Sequence, residues 1–202
     1  RQQRVKLDQT KSEWLSINGG VPQGTKLGPL LFVIMVSDLC CSLPVVKYVD
    51  DTTLYDVCKY GECGSIQDAL NELVSWSETN DMVINPKKTK EMRVCFSRNG
   101  LNRPIPPLII SGESVERVDQ IKLLGLSLNS SLNWDNHVQD IYAKAARRLY
   151  LLMQLRRAGL NQSELCKFYI ACIRSVLEYA CQIFHSGLTK DQSNLLESVQ
   201  RR

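Results

Sequence analysis

A chain of 202 residues with 44% hydrophobic and 23% charged content can bury a real core, which excludes the disordered classes and fits one large or two small domains. A net charge of +4 is compatible with a polyanionic partner without demanding one, so the distribution of charge carries more than its total. Eight cysteines lack the spacing of a disulfide framework and no signal peptide precedes them, so they read as reduced thiols of an intracellular protein.

In chain order, Arg4 to Leu7 and Trp14 to Asn18, split by the polar Asp8 to Ser12, predict an edge hairpin leading into a Gly19-Gly20 turn. Pro29 suits the first turn of a helix predicted from Leu27 to Leu43, where Pro44 stops it; its apolar run is too short to span a bilayer. Val45 to Val49 and Thr52 to Tyr55 predict a tight hairpin around Asp50 and Asp51. Ser65 with Asp68 resembles a capping box opening a helix to Thr79, whose apolar face is Ile66, Leu70, Leu73 and Val74. Met82 to Ile84, Met92 to Phe96, Leu108 to Ile110, Glu116 to Val118 and Lys122 to Leu128 read as short strands, with a boundary or excursion at Asn99 to Pro107. After Asn133 the period becomes helical. Val138, Ile141, Tyr142, Ala145, Leu149 and Leu152 predict a helix from Trp134 to Arg157, a second runs from Gln162 to Phe184 with Cys166 and Cys172 buried, and a third starts after Thr189.

Two neighbouring carboxylates matter because adjacent side chains in a regular strand point to opposite faces, whereas at a hairpin turn both can lean toward one site and share a divalent cation. Asp is also an ordinary turn residue. No C-x-x-C or H-x-x-x-H pair accompanies Cys58, Cys63, His137 and His185, so the zinc-ligand signature fails.

Upstream of the acids runs Gly20-Val21-Pro22-Gln23-Gly24-Thr25-Lys26-Leu27-Gly28-Pro29-Leu30-Leu31-Phe32. Downstream come Ile84-Asn85-Pro86-Lys87-Lys88-Thr89-Lys90, then Lys122-Leu123-Leu124-Gly125-Leu126, then Leu177-Glu178-Tyr179-Ala180. In this order, and over essentially the whole chain, the motifs resemble the reverse transcriptase (RNA-directed DNA polymerase) of a non-LTR, LINE-type retrotransposon of the jockey or chicken-repeat sort. The resemblance implies an α+β polymerase palm over residues 1–130, an antiparallel-rich sheet backed by helices, followed by an all-α thumb over residues 131–202.

It further implies that Asp50 and Asp51 are catalytic ligands of Mg2+, with Tyr48 and Val49 packing the nucleotide site. They stand where many such elements have Phe and Ala. Pro22, Gln23 and Gly24 would lie against the template and the incoming base pair, Lys88 would contact the triphosphate or protonate pyrophosphate, and Leu124-Gly125 would approach the primer. Lys144, Arg147, Arg148, Arg156 and Arg157 form a basic run without an intervening acid, suited to phosphate contacts that position a duplex without reading its sequence. The implied partners are an RNA template, a DNA primer and deoxynucleoside triphosphates, in cytoplasm and nucleus and away from membranes.

The family's first catalytic Asp, on an Asp-x-x-Lys/Arg-Ala-Phe-Asp strand, has no counterpart in residues 1–21, and no fingers or endonuclease segment is recognised. The expectation is therefore a truncated or decayed copy, inactive as an isolated chain. The alternative is a catalytically dead remnant that binds nucleic acid or serves as a scaffold.

Overall fold

The computed structural model describes residues 2–17, 20, 24–59, 64–96 and 105–201. Pro22, Gln23, Cys63, the end of the Trp14 to Asn18 strand, Gly19 of the expected turn, and most of the Asn99 to Pro107 excursion lie outside the described residues. The architecture is mixed α+β, with several small sheets and helices, and the backbone divides into two units, Arg1–Ile84 and Asn85–Arg202.

In the first unit, Asp8, a residue that tolerates left-handed backbone, takes φ 52° and turns β2 (Lys6–Leu7) onto β3 (Thr10–Lys11). Thr10 and Lys11 are thus strand, not the polar connection expected over Asp8 to Ser12. The Val5 N–H donates to Ser12 Oγ and the Ser12 N–H to the Val5 carbonyl, both at 2.9 Å, which carries the ribbon on to β1 (Gln2–Gln3) paired with β4 (Leu15–Ser16).

Helix α1 (Leu27–Met35) opens with the Gly28 N–H donating to Thr25 Oγ1 at 3.2 Å. It stops well before Leu43 because its last carbonyls find other partners. Ser37 Oγ donates back to the Ile34 carbonyl at 2.7 Å, and the Lys47 ammonium donates to the carbonyls of Val36, Ser37 and Leu39 at 2.9, 3.1 and 3.0 Å. Lys47 belongs to β5 (Val45–Tyr48), which pairs with β6 (Asp51–Leu54), so one side chain ties the hairpin to the end of the helix.

Helix α2 (Ile66–Thr79) buries Ala69, Leu70, Leu73 and Ser77, close to the predicted face. The predicted Ser65 capping box does not form: Ser65 has φ −90° and ψ 14°, its side chain caps nothing, and its N–H donates to Asp56 Oδ2 at 3.0 Å. Asp56 brings a negative charge to the N-terminal end of α2 instead. Glu72 on α2 accepts the Ser42 N–H at 2.6 Å. Met82 to Ile84 is not a strand, because the Met82 N–H closes the helix end on the Ser77 carbonyl at 2.8 Å and Asp81 turns the chain at φ 53°.

In the second unit, the Asn85 side-chain oxygen accepts the N–H groups of Lys87 and Lys88 at 3.0 and 3.3 Å, folding a turn ahead of β7 (Lys90–Glu91). β7 pairs in parallel with β10 (Glu116–Arg117), and Glu91 accepts from Arg93 at 2.8 Å and forms an ion pair with Arg117 at 3.2 Å. Met92 to Phe96, expected as a strand, joins no ladder among the described residues, and Phe96 points to solvent. β8 (Ile109–Ile110) pairs with β9 (Glu113–Ser114). Lys122 to Leu128 is not one strand: β11 (Gln120–Leu123) and β12 (Leu126–Asn129) form a hairpin around Leu124 and Gly125.

Among the described residues the six ladders remain two-stranded, so the Asp50 hairpin is not the centre of a joined sheet. Most are only two residues long, and left-handed turns at Asp8, Ser111 and Leu124 close three of them as hairpins.

Helix α3 (Asp135–Arg157) buries His137, Val138, Ile141 and Ala145 on one face, as its period predicts. The segment expected as one helix from Gln162 is broken. It runs as α4 (Gln162–Phe168), a π-helical turn at Tyr169–Arg174, α5 (Ser175–Glu178), a kink at Tyr179 and Ala180, and α6 (Cys181–Phe184). Cys166 is exposed and Cys172 half-buried, so neither is the fully buried thiol expected. Asn161 with Glu164, and Thr189 with Gln192, form capping boxes for α4 and α7 (Lys190–Gln200). The core is built from Leu126, Ile141 and Phe184, and from Ala145, Ile173 and Val199. A fully buried side chain of Leu, Ile or Phe size contributes about 1.5–3 kcal/mol.

Candidate functional site

Pairing of Tyr48 with Asp51 leaves Val49 and Asp50 as the two-residue hairpin turn. The two acids are therefore not both at the turn: Asp50 is, while Asp51 is the first residue of β6. Val49 has φ 54°, where a β-branched side chain crowds the backbone at a cost of about 1–2 kcal/mol. Strain of this kind persists where the surroundings over-determine the geometry, and the Lys47 anchor at the helix end supplies one such constraint. Tyr48, Asp50 and Asp51 are exposed, and neither carboxylate is engaged by another described side chain.

Hard carboxylate oxygens fit a magnesium ion, which is commonly held by one or two carboxylates with water and substrate phosphates completing its octahedron. Among the described residues no group of three or more His, Cys, Asp or Glu side chains is placed to hold a metal, so Asp50 and Asp51 furnish a pair of ligands and not a protein cage. Gly24, also in the first unit, takes φ 83°, and a Cβ there would meet nothing within 4 Å, so backbone conformation rather than space calls for glycine. Pro22 and Gln23 lie outside the described residues.

In the second unit Lys88 is exposed in the Asn85 turn, while the neighbouring Lys90 ammonium is spent on Glu116. Leu124 and Gly125 form the β11–β12 turn with φ 46° and 85°. Of the basic run, Arg147, Arg156 and Arg157 are exposed. Arg148 turns to the π-helical segment and donates from Nη1 to the Cys172 carbonyl. At about 3.6 residues per turn, Arg156 falls half a turn round α3 from Arg147, so the five cations do not form one stripe.

A polar knot missed by inspection of the sequence lies between β12 and α3. Ser127 Oγ donates to Asp140 Oδ2 at 2.8 Å and the Ser127 N–H donates to His137 Nδ1 at 3.4 Å. His137 is 2% exposed, packs edge-on against Phe184 at 4.8 Å and Trp134 at 5.9 Å, and its Nε2 has no hydrogen-bond partner among the described residues. Accepting at Nδ1 assigns the neutral ring with its proton on Nε2. Burial lowers the pKa of His137, Lys144 adds to the effect, and Asp140 opposes it. The hydroxyl bonds the acid and not the imidazole, so Ser, His and Asp here lock a helix to a strand and form no nucleophilic triad. No described helix is long and apolar enough to cross a membrane.

A profile of the family described as "Reverse transcriptase (RNA-dependent DNA polymerase)" matches residues 3–128. One described as "Alkylated DNA repair protein alkB homolog 8, N-terminal" matches residues 134–175, a stretch within the helical region. The chain is 27% identical over 205 residues to "Probable RNA-directed DNA polymerase from transposon BS" of Drosophila melanogaster, across 92% of this chain and 22% of that protein. It is 28% identical over 201 residues to "Probable RNA-directed DNA polymerase from transposon X-element" of the same organism, across 93% of this chain and 21% of that protein. It is 26% identical over 200 residues to that organism's "RNA-directed DNA polymerase from mobile element jockey", across 89% and 21%. The chain thus spans about a fifth of the length of the curated relatives it matches. No solved structure matches it.

Proposed function

The chain belongs to the reverse transcriptase (RNA-dependent DNA polymerase) family, and from that membership we propose that it is the palm and thumb portion of a non-LTR, LINE-type mobile-element polymerase that copies RNA into DNA. The observation that carries this is the β5–β6 hairpin, which presents two exposed carboxylates, Asp50 at a turn held in left-handed backbone at Val49 and Asp51 beside it, and is anchored through Lys47. The relatives, described as RNA-directed DNA polymerases of mobile elements, support the same assignment.

In the proposed chemistry Asp50 is the main ligand and Asp51 the weaker one. Magnesium, when bound, would lower the pKa of the primer 3′-hydroxyl and neutralise charge on the departing pyrophosphate. The side chains of this chain bind and orient. Tyr48 and Val49 flank the nucleotide, the Pro22-Gln23-Gly24 loop lies against the template base pair, Lys88 offers a cation to the triphosphate, and the Leu124-Gly125 turn meets the primer. Arg147 and Arg157 reach duplex phosphates. Residues 1–130 take the palm role and residues 131–202 the thumb role.

A second proposal, that the isolated chain is a catalytically inert nucleic-acid-binding module, is favoured by one observation: among the described residues no third acid joins Asp50 and Asp51. Primer extension on an RNA template with magnesium separates the two. The isolated chain is expected to bind the RNA–DNA hybrid without sustained synthesis. Incorporation that disappears in Asp50→Asn would overturn inertness and establish the site, and absence of hybrid binding would count against both.

A further inference from the structure

Tyr179 and Ala180 interrupt the helical chain at a point where the sequence carries no Gly or Pro to stop it. Tyr179 has φ −56° and ψ 120°, and Ala180 has φ 53° and ψ 28°, a left-handed conformation that an alanine adopts only under constraint. The kink aims the phenol at the β11–β12 turn. Tyr179 Oη donates to the Leu124 carbonyl at 2.9 Å, across 55 residues of chain. The ring lies so close that a Cβ on Gly125 would stand 3.0 Å from Tyr179 Cε1. Leu124 and Gly125 themselves have φ 46° and 85°, so a left-handed residue supplies the acceptor and another, Ala180, follows the donor.

We propose that Tyr179 is a positioning residue that locks the Leu124-Gly125 turn in the shape in which it meets the sugar-phosphate backbone of the primer strand. This rests on the assignment of that turn to primer contact. A two-residue turn projects from a hairpin too short to be rigid alone, and a main-chain carbonyl at its first position would otherwise exchange partners with water. The phenol satisfies that carbonyl, and the ring covers Gly125, while Tyr179 and Leu124 keep exposed surface on which a strand can lie. Lying half in solvent, Tyr179 is not a core residue whose role is filled by packing.

Hydroxyl-radical footprinting of a DNA-primer/RNA-template hybrid by the 202-residue chain, with each strand labelled in turn, tests the proposal. Amide exchange at Gly125 and Leu126 is followed in the same samples. The wild type should protect the primer strand. Tyr179→Phe, which keeps the ring and removes the hydroxyl, should raise exchange at the turn and weaken primer protection roughly fivefold, the change that one neutral hydrogen bond brings. Template protection should hold, and Tm should fall by no more than about 4 °C. Gly125→Ala should act alike, and the double variant should show less than the product of the two effects because both act through the same turn. Wild-type protection that Tyr179→Phe leaves unaltered would overturn the role of Tyr179. A wild type that leaves the primer unprotected would overturn the primer assignment of the turn, and the proposal with it.

Discussion

Acidification should destabilise the helical part of the chain through His137. Its neutral ring is buried against Trp134 and Phe184 and accepts the Ser127 N–H, so protonation forfeits that bond and places a charge out of water beside the Lys144 cation, with Asp140 as partial compensation. Its pKa is lowered in the folded state from an ordinary value of 6.5. A lowered folded pKa means that the unfolded chain takes up the proton first as pH falls. Stability is thus fully present above 6.5, declines below it at no more than about 1.4 kcal/mol per pH unit, and levels off once pH passes below the folded pKa. Urea unfolding at steps from about pH 7.5 to 5.5, followed through Trp134 fluorescence with Trp14 and Trp76 replaced by Phe, measures the decline. His137→Gln keeps an acceptor for Ser127 and removes the titration, so its stability should change little over the interval, where most carboxylates are already ionised. Equal losses in wild type and His137→Gln would show that His137 is not the group whose protonation destabilises the fold.

Lys47→Met should release the end of α1 from the β5–β6 hairpin at a cost of about 1–2 kcal/mol, modest because the ammonium is exposed, with faster amide exchange across Val45–Leu54. Unchanged exchange there would deny it an anchoring role. Arg147→Ala with Arg157→Ala should leave stability within about 0.5 kcal/mol and flatten the log–log salt dependence of duplex binding by about 0.9 for each phosphate that the two cations neutralise on B-form DNA. Arg148→Ala should instead cost about 1–3 kcal/mol by removing the charged donor from the Cys172 carbonyl of the π-helical turn, visible as a lower urea midpoint.

Elements with a strong local signal were legible in the sequence. The α3 face of Val138, Ile141 and Ala145 follows from its period, the start of α7 follows Thr189, and the β5–β6 hairpin follows from two β-rich runs around an Asp pair. What escaped depends on partners distant in the chain. Nothing near Lys47 announces that three carbonyls before it end a helix early, and nothing near Ser65 announces that Asp56 takes its N–H. The π-helical turn and the kink at Tyr179 lie in residues of ordinary helical habit, so only the packing against α3 and the Leu124 carbonyl reveals them. The Asp pair was visible as chemistry, but the division of the two acids between turn and strand came from register, which hydrophobic pattern specifies only loosely in so short a ladder.

Iron-directed backbone cleavage tests most directly whether Asp50 and Asp51 are the divalent-metal ligands of a polymerase site. Fe2+ with ascorbate and peroxide, added to the chain with an RNA–DNA hybrid and a deoxynucleoside triphosphate, generates hydroxyl radicals beside whichever residues bind the ion. Cleavage should centre on residues 48–52, be suppressed by excess Mg2+ and be abolished in Asp50→Asn. Cleavage elsewhere with that hairpin intact, or cleavage at the hairpin that Asp50→Asn leaves unchanged, would contradict the assignment.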